Sequence, residues 1–104
     1  MNLYNIFFKR TSMPENLRTL KKDIDYLIDE VISDCCTFIY INPDKKEEEA
    51  MEVINQAIAL RDEMFERLNK IHEKPARPHF KALKEEFLKR VDDLFETISE
   101  LAKQ

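Results

Sequence analysis

Among the side chains able to carry covalent or metal chemistry, this sequence has two cysteines, two histidines and a large set of carboxylates. Cys35 and Cys36 are adjacent. On a helix, neighbours point about 100° apart, which does not suit the short Cβ separation of a disulfide. A reducing compartment leaves both as thiols. Asp34 beside them and a helix C-terminus just downstream disfavour the thiolate, so the pair reads as structural rather than nucleophilic. His72 and His79 flank a proline-interrupted turn and read as solvated turn residues. No C-x-x-C, H-E-x-x-H or E-x-x-H spacing occurs, so neither a zinc site nor a di-iron carboxylate bundle has its helical signature. Neither a metal nor a cofactor is expected. Carboxylates could pair for acid–base work, but with 21 Asp and Glu residues proximity alone selects none of them.

One spacing brings together groups that act on phosphate. Arg67-Leu68-Asn69-Lys70-Ile71-His72 is Arg-x4-His, which resembles the ribonuclease motif of HEPN-type helical bundles. The resemblance covers six residues and implies that Arg67 and His72 would act together on RNA phosphate. Leu68 stands where that motif usually has a polar residue. On a continuous helix Arg67 and His72 lie about 140° apart, so they meet only if the helix ends between them.

The elements that would position these groups are helical. The chain of 104 residues has no glycine, where ordinary usage is about 7%. Glycine supplies positive φ in hairpins and bulges, so its absence argues against an all-β or Rossmann-type fold and removes every glycine-rich phosphate loop. Ser12-Met13-Pro14-Glu15 has capping-box spacing with proline in the first turn. After it Leu17, Leu20, Ile24, Leu27, Val31 and Phe38 form one apolar stripe, with Ile28, Ile32, Cys35 and Ile39 beside it. Asn42-Pro43 ends the first helix, and Asn42 or Asp44 offers the next cap. Met51, Ile54, Ile58, Phe65, Leu68 and Ile71, with Ala50, Ala57 and Met64 alongside, outline a second helix, broken at 74–78 by two prolines. That stretch also spells P-x-x-P, and a rigid turn is the expected role. Phe80, Phe87, Leu94 and Leu101 recur every seventh residue in a third, widened by Leu83, Leu88, Val91, Phe95 and Ile98. The strand-favouring 35–41 could pair with 3–8 as a short ribbon, but Phe38 and Ile39 keep the helical step.

The expected architecture is therefore all-α: an up-down-up antiparallel three-helix bundle over 12–104, with helices near 13–41, 44–73 and 78–103 and an apolar N-terminal arm over 1–11. Short connections make neighbouring helices antiparallel. Counting from the turns places Arg61 level with Asp25 and with 90–93, which predicts a polar layer at mid-bundle that fixes register.

Charge is sorted along the chain beneath its net −4. Residues 9–22 hold five bases and one acid, and 70–84 hold the same balance. Residues 23–34 hold five acids and no base, and acids also outnumber bases over 44–52 and 85–104. Folding up-down-up brings both basic stretches to one end, giving a basic pole of Arg18, Lys21, Lys22, Lys70, Lys74, Arg77, Lys81 and Lys84, and an acidic pole opposite. Such a pole suits phosphate, nucleic acid, anionic lipid or an acidic protein surface. The acidic total, and the lack of aromatics interleaved with the bases, weaken a nucleic-acid role. The arm, with Leu3, Tyr4, Ile6, Phe7 and Phe8, is a candidate interface. It lacks a preceding basic region and a small-residue cleavage site, unlike a signal peptide. No apolar run approaches the ~18 residues of a spanning helix, and a cytoplasmic location is expected.

The functional expectation is a small non-catalytic interaction or scaffold protein that self-associates, most simply as a dimer, through apolar helix faces and the arm. The second is a binding module whose basic pole contacts nucleic acid or another polyanion. The third is the Arg–His ribonuclease.

Overall fold

The computed structural model describes residues 17–42, 46–72 and 76–103. They form three α-helices: α1 Leu17–Ile41, α2 Glu47–Asn69 and α3 Arg77–Lys103. Each helix packs on the other two, and no strand occurs among the described residues. This is the expected all-α three-helix bundle, and 35–41 lie in α1 rather than in a strand. The Ser12 capping box, Pro43, Asp44, Pro75 and the arm of 1–11 lie outside the described residues.

Local chemistry explains the boundaries. Asn42 closes α1: its backbone N–H and its side-chain Nδ2 both donate to the Phe38 carbonyl, at 2.9 and 3.1 Å. One of the four carbonyls at the end of α1 that need partners from beyond the helix is thereby satisfied twice over. Lys46 precedes α2 in the left-handed region, at φ 52° and ψ 29°, without a side-chain cap. The acids Glu47, Glu48 and Glu49 in the first turn compensate by facing the positive end of the helix dipole. The last turn of α2 tightens, with Lys70 and Ile71 N–H groups donating to the Arg67 and Leu68 carbonyls at 3.2 Å. The helix thus stops at Asn69, four residues before the expected end. Pro78 fits the first turn of α3, where no N–H is needed.

The core is one continuous apolar cluster. Leu20, Ile24, Leu27, Ile28, Val31, Cys35 and Phe38 of α1 meet Leu83, Phe87, Leu88, Val91, Leu94 and Ile98 of α3. These belong to the expected stripes, of which Ile32, Ile39, Phe80, Phe95 and Leu101 are only partly buried against the cluster and Leu17 is 38% exposed. α2 differs from expectation. Its buried line is Ala50, Val53, Ala57, Leu60, Met64 and Leu68, whereas Met51 and Ile58 are 45% and 43% exposed. Alanines at the centre let α2 lie close against its neighbours, and this turns the larger residues to the flank.

Candidate functional site

Two seams carry the organised polar chemistry. Along α2 and α3, Glu63, Arg67, Glu86 and Arg90 form a closed ring of alternating charge. Arg67 donates through both terminal nitrogens to Glu86, at 2.7 and 3.0 Å. Arg90 donates in the same way to Glu63, at 2.6 and 3.0 Å. Longer contacts close the ring within each helix, Arg67 to Glu63 at 3.4 Å and Arg90 to Glu86 at 3.2 Å. The hydrogen bond from Arg90 holds Glu63 below the usual glutamate range, and the hydrogen bond from Arg67 does the same for Glu86, each against a smaller opposing effect of burial. Paired guanidinium–carboxylate forks fix geometry better than point charges do. The ring borders an open groove of about 350 Å³ between Gln56, Leu60, Arg90, Asp93 and Leu94. The sequence signal for it is the repeated E-x-x-x-R, at Glu63–Arg67 and Glu86–Arg90; sequence reasoning passed over it.

The ring bears directly on the Arg-x4-His spacing. α2 does end between Arg67 and His72, the condition for their approach. Yet both terminal nitrogens of Arg67 are engaged by Glu86, and Nη1 also by Glu63. His72 lies exposed beyond the helix.

On the other seam, Arg61 Nε donates to Asp25 Oδ1 at 2.6 Å. This is the contact between α1 and α2 that counting from the turns predicts. Arg90 does not join it, because the ring holds Arg90 on the opposite side of α2. The predicted layer is also wetter than a buried one: the side chains of Arg61 and Asp25 are 40% and 47% exposed. The hydrogen bond to Asp25 raises the Arg61 pKa. The Arg61 guanidinium also stacks 4.6 Å from the centre of the Phe65 ring, and Lys21 Nζ lies 5.9 Å from it.

These contacts orient the apolar flank. On α2, Phe65, Arg61, Ile58, Ile54 and Met51 follow 3- and 4-residue steps down one side. On α1, Lys21, Asp25, Ile32 and Ile39 lie along one side at steps of four and seven residues. Since 61 meets 25 and 65 meets 21, the two rows run side by side. Below the ion pair they become apolar: Ile32, Ile39 and Ile54 are half-buried against the core, and Ile58 and Met51 are exposed.

The residues expected at the basic pole differ in exposure. Arg18, Lys22, Arg77 and Lys81 are exposed, and Lys21 is half-buried near Phe65. Lys70 is exposed but its ammonium pairs with Glu66 at 2.9 Å. Lys74, like Leu3, Tyr4, Ile6, Phe7 and Phe8, lies outside the described residues. Lys84 departs from expectation: it is 4% exposed, within the bundle rather than on its surface. Its position beside Phe87 and Leu88 accounts for this, since helical phase places it on the edge of the core face.

The thiols divide. Cys35 is buried and Cys36 exposed, and neither is disulfide-bonded. Burial, and then the neighbouring Cys36 and Asp34, push the Cys35 thiol up to about 11. Burial also raises the Asp34 carboxyl. No group of three or more metal-capable side chains comes together among the described residues.

No known family matches this chain. Neither a family model, nor a curated protein, nor a solved structure shows a match. Among the described residues no helix is long and apolar enough to cross a membrane.

Proposed function

We propose that this chain is a non-catalytic interaction protein of the cytoplasm that pairs with a second copy of itself through the α1–α2 flank. The observation that supports this is the exposed apolar row of Met51 and Ile58, set among the half-buried Ile32, Ile39 and Ile54. Large apolar side chains gathered on one helix flank, bordered by charge, are the usual form of an association surface. The charge pattern suits a copy of the same chain. In a two-fold pair with antiparallel bundles, Arg18 and Lys22 of one copy approach the acidic start of α2, Glu47 and Glu48, in the other.

Light scattering over a range of protein concentrations, at low and at high salt, tests the proposal. A dimer is expected that weakens with salt and that Ile58→Glu converts to a monomer. A monomer at every concentration refutes it. The second reading rests on the exposed Arg18, Lys22, Arg77 and Lys81 at one end of the bundle. It expects salt-sensitive binding to mixed-sequence RNA or DNA, lost when Lys22 and Lys81 are reversed to glutamate.

A further inference from the structure

The apolar pattern of α2 and α3 decides which faces meet, but not at which turn. The buried line of α2, Ala50, Val53, Ala57, Leu60, Met64 and Leu68, advances in steps of three and four residues. Moved along by one turn, each residue up to Met64 falls where another apolar residue stood. Leu83, Phe87, Val91, Leu94 and Ile98 of α3 repeat in the same way. Differences in side-chain volume favour one register, yet a one-turn slip still leaves apolar groups in the core.

The ion ring responds differently to a slip. Glu63 meets Arg90 and Arg67 meets Glu86, each through a two-nitrogen fork, so the two helices run antiparallel. Each helix carries a glutamate one turn before an arginine. A one-turn slip in one direction sets Glu63 opposite Glu86, and leaves Arg67 and Arg90 opposite Ala82 and Ala59. The reverse slip sets Arg67 opposite Arg90, and leaves Glu63 and Glu86 opposite Leu94 and Ile71. Either slip exchanges two forks for one like-charge pair. The other two charges keep only their neighbours on their own helix. The ring side chains are 39% to 45% exposed, so a single fork contributes little. The discrimination comes from losing attraction and gaining repulsion together.

We infer that the ring selects the axial register of α2 against α3 and excludes the registers one turn away. The Arg61–Asp25 pair lacks this property. One turn along α1 from Asp25, on the same side, stands Asp29. A slip that carries Arg61 from one to the other keeps opposite charges together. Charge therefore specifies register on the α2–α3 seam, and not at the mid-bundle pair to which counting from the turns assigns it. Glu63, Arg67, Glu86 and Arg90 are positioning residues. They lie on a different seam from the row of Met51 and Ile58, so this inference stands or falls independently of self-association.

Exchanging the charges in the full chain tests it. Spin labels on cysteines introduced at the exposed Asn55 and Lys81, with Cys36→Ser and with the buried Cys35 left unlabelled, report the offset of α2 against α3 by pulsed electron resonance. A one-turn slip moves one label past the other by about 5 Å. The otherwise unaltered chain is expected to give a single distance. In the half-exchanged chain, Glu63→Arg with Arg67→Glu, the native register sets like charges opposite each other twice, and a one-turn slip restores an attractive pair. Its distance should shift by about 5 Å or split into two populations. Adding Glu86→Arg and Arg90→Glu should bring back the single original distance. The original distance alone in the half-exchanged chain overturns the inference, because the core then fixes register unaided. Failure of the fourfold exchange to restore that distance overturns it as well. Should the half-exchanged chain unfold, glutamine at all four ring positions, which sets no like charges together, decides. A broadened or shifted distance then supports the inference, and the sharp original distance overturns it.

Discussion

Changing Arg61 to glutamine removes two interactions at once, and their sizes follow from their surroundings. The bond to Asp25 is short, at 2.6 Å, but both side chains are 40% or more exposed. Solvent screening therefore limits the pair to about 0.2–1 kcal/mol. The stacking of the guanidinium 4.6 Å over Phe65 adds about 0.5–1 kcal/mol at an exposed site. The expected loss for Arg61→Gln is then about 1–2 kcal/mol, or a fall in Tm of about 5–10 °C for a domain of this size. Urea unfolding of Arg61→Gln, Asp25→Asn and the double variant separates the parts. The cycle isolates the ion pair, with a coupling of about 0.2–1 kcal/mol. That coupling should shrink at 1 M salt, where the Debye length is about 3 Å, while the contribution of Phe65 persists. A loss of more than about 3 kcal/mol, the range of a broken buried pair, would refute this reasoning. It would mean that Arg61 is desolvated in solution and specifies helix register. A coupling of zero would refute the pairing itself.

Other outcomes follow from the same geometry. Native protein exposed to a thiol reagent at neutral pH should modify Cys36 promptly and Cys35 only on unfolding, since Cys35 is buried with its thiol raised to about 11; equal rates would contradict that burial. Between the ordinary thiol value of 9.0 and about 11 the unfolded chain releases a proton that the folded chain keeps, so stability should decline with rising pH across that window and not in Cys35→Ala. Glu63 and Glu86 work in the opposite sense. Their folded pKa values lie below the ordinary 4.5, so the ring contributes above that pH, and the contribution fades as pH falls through the lowered values; thermal melts of Glu63→Gln with Glu86→Gln should show a flatter acid limb. Leu60→Ala, at a buried position, should cost about 2–5 kcal/mol, whereas Ile58→Ala should cost the isolated subunit less than about 1 kcal/mol; the reverse order would mean that the buried face of α2 has been misidentified.

How far the sequence disclosed this molecule depended on residue size. α1 and α3 bury large aliphatic and aromatic residues at helical spacing, so their core faces could be recognised. α2 buries Ala50 and Ala57 along its centre and carries Ile54, Ile58 and Phe65 on its flank. A search for bulky residues therefore finds the flank, because close helix approach favours small side chains that carry little hydrophobic signal. The Arg61–Asp25 level could be counted because the connections are short. The ion ring could not be located that way: E-x-x-x-R recurs by chance on charged helices, and only the rotation of α2 against α3 makes two of them interlock. Lys84 was hidden by its type, since lysine is read as solvated unless its phase against Phe87 is known. The candidate surfaces were legible as charge sorting, but not as exposed or covered.

The left-handed Lys46 shows where the backbone, among the described residues, is least at ease. Holding a side chain at positive φ costs about 1–2 kcal/mol, at a place where most chains would use glycine. This sequence has none anywhere. A glycine-free chain is stiffer when unfolded, and each glycine avoided reduces the denatured ensemble's entropy by an amount worth about 0.4–1 kcal/mol where the fold tolerates the change. Over the several glycines an average chain of this length would carry, that exceeds the discomfort of one lysine. Part of this protein's stability therefore resides in no contact of the folded bundle, but in the restricted freedom of the chain before it folds.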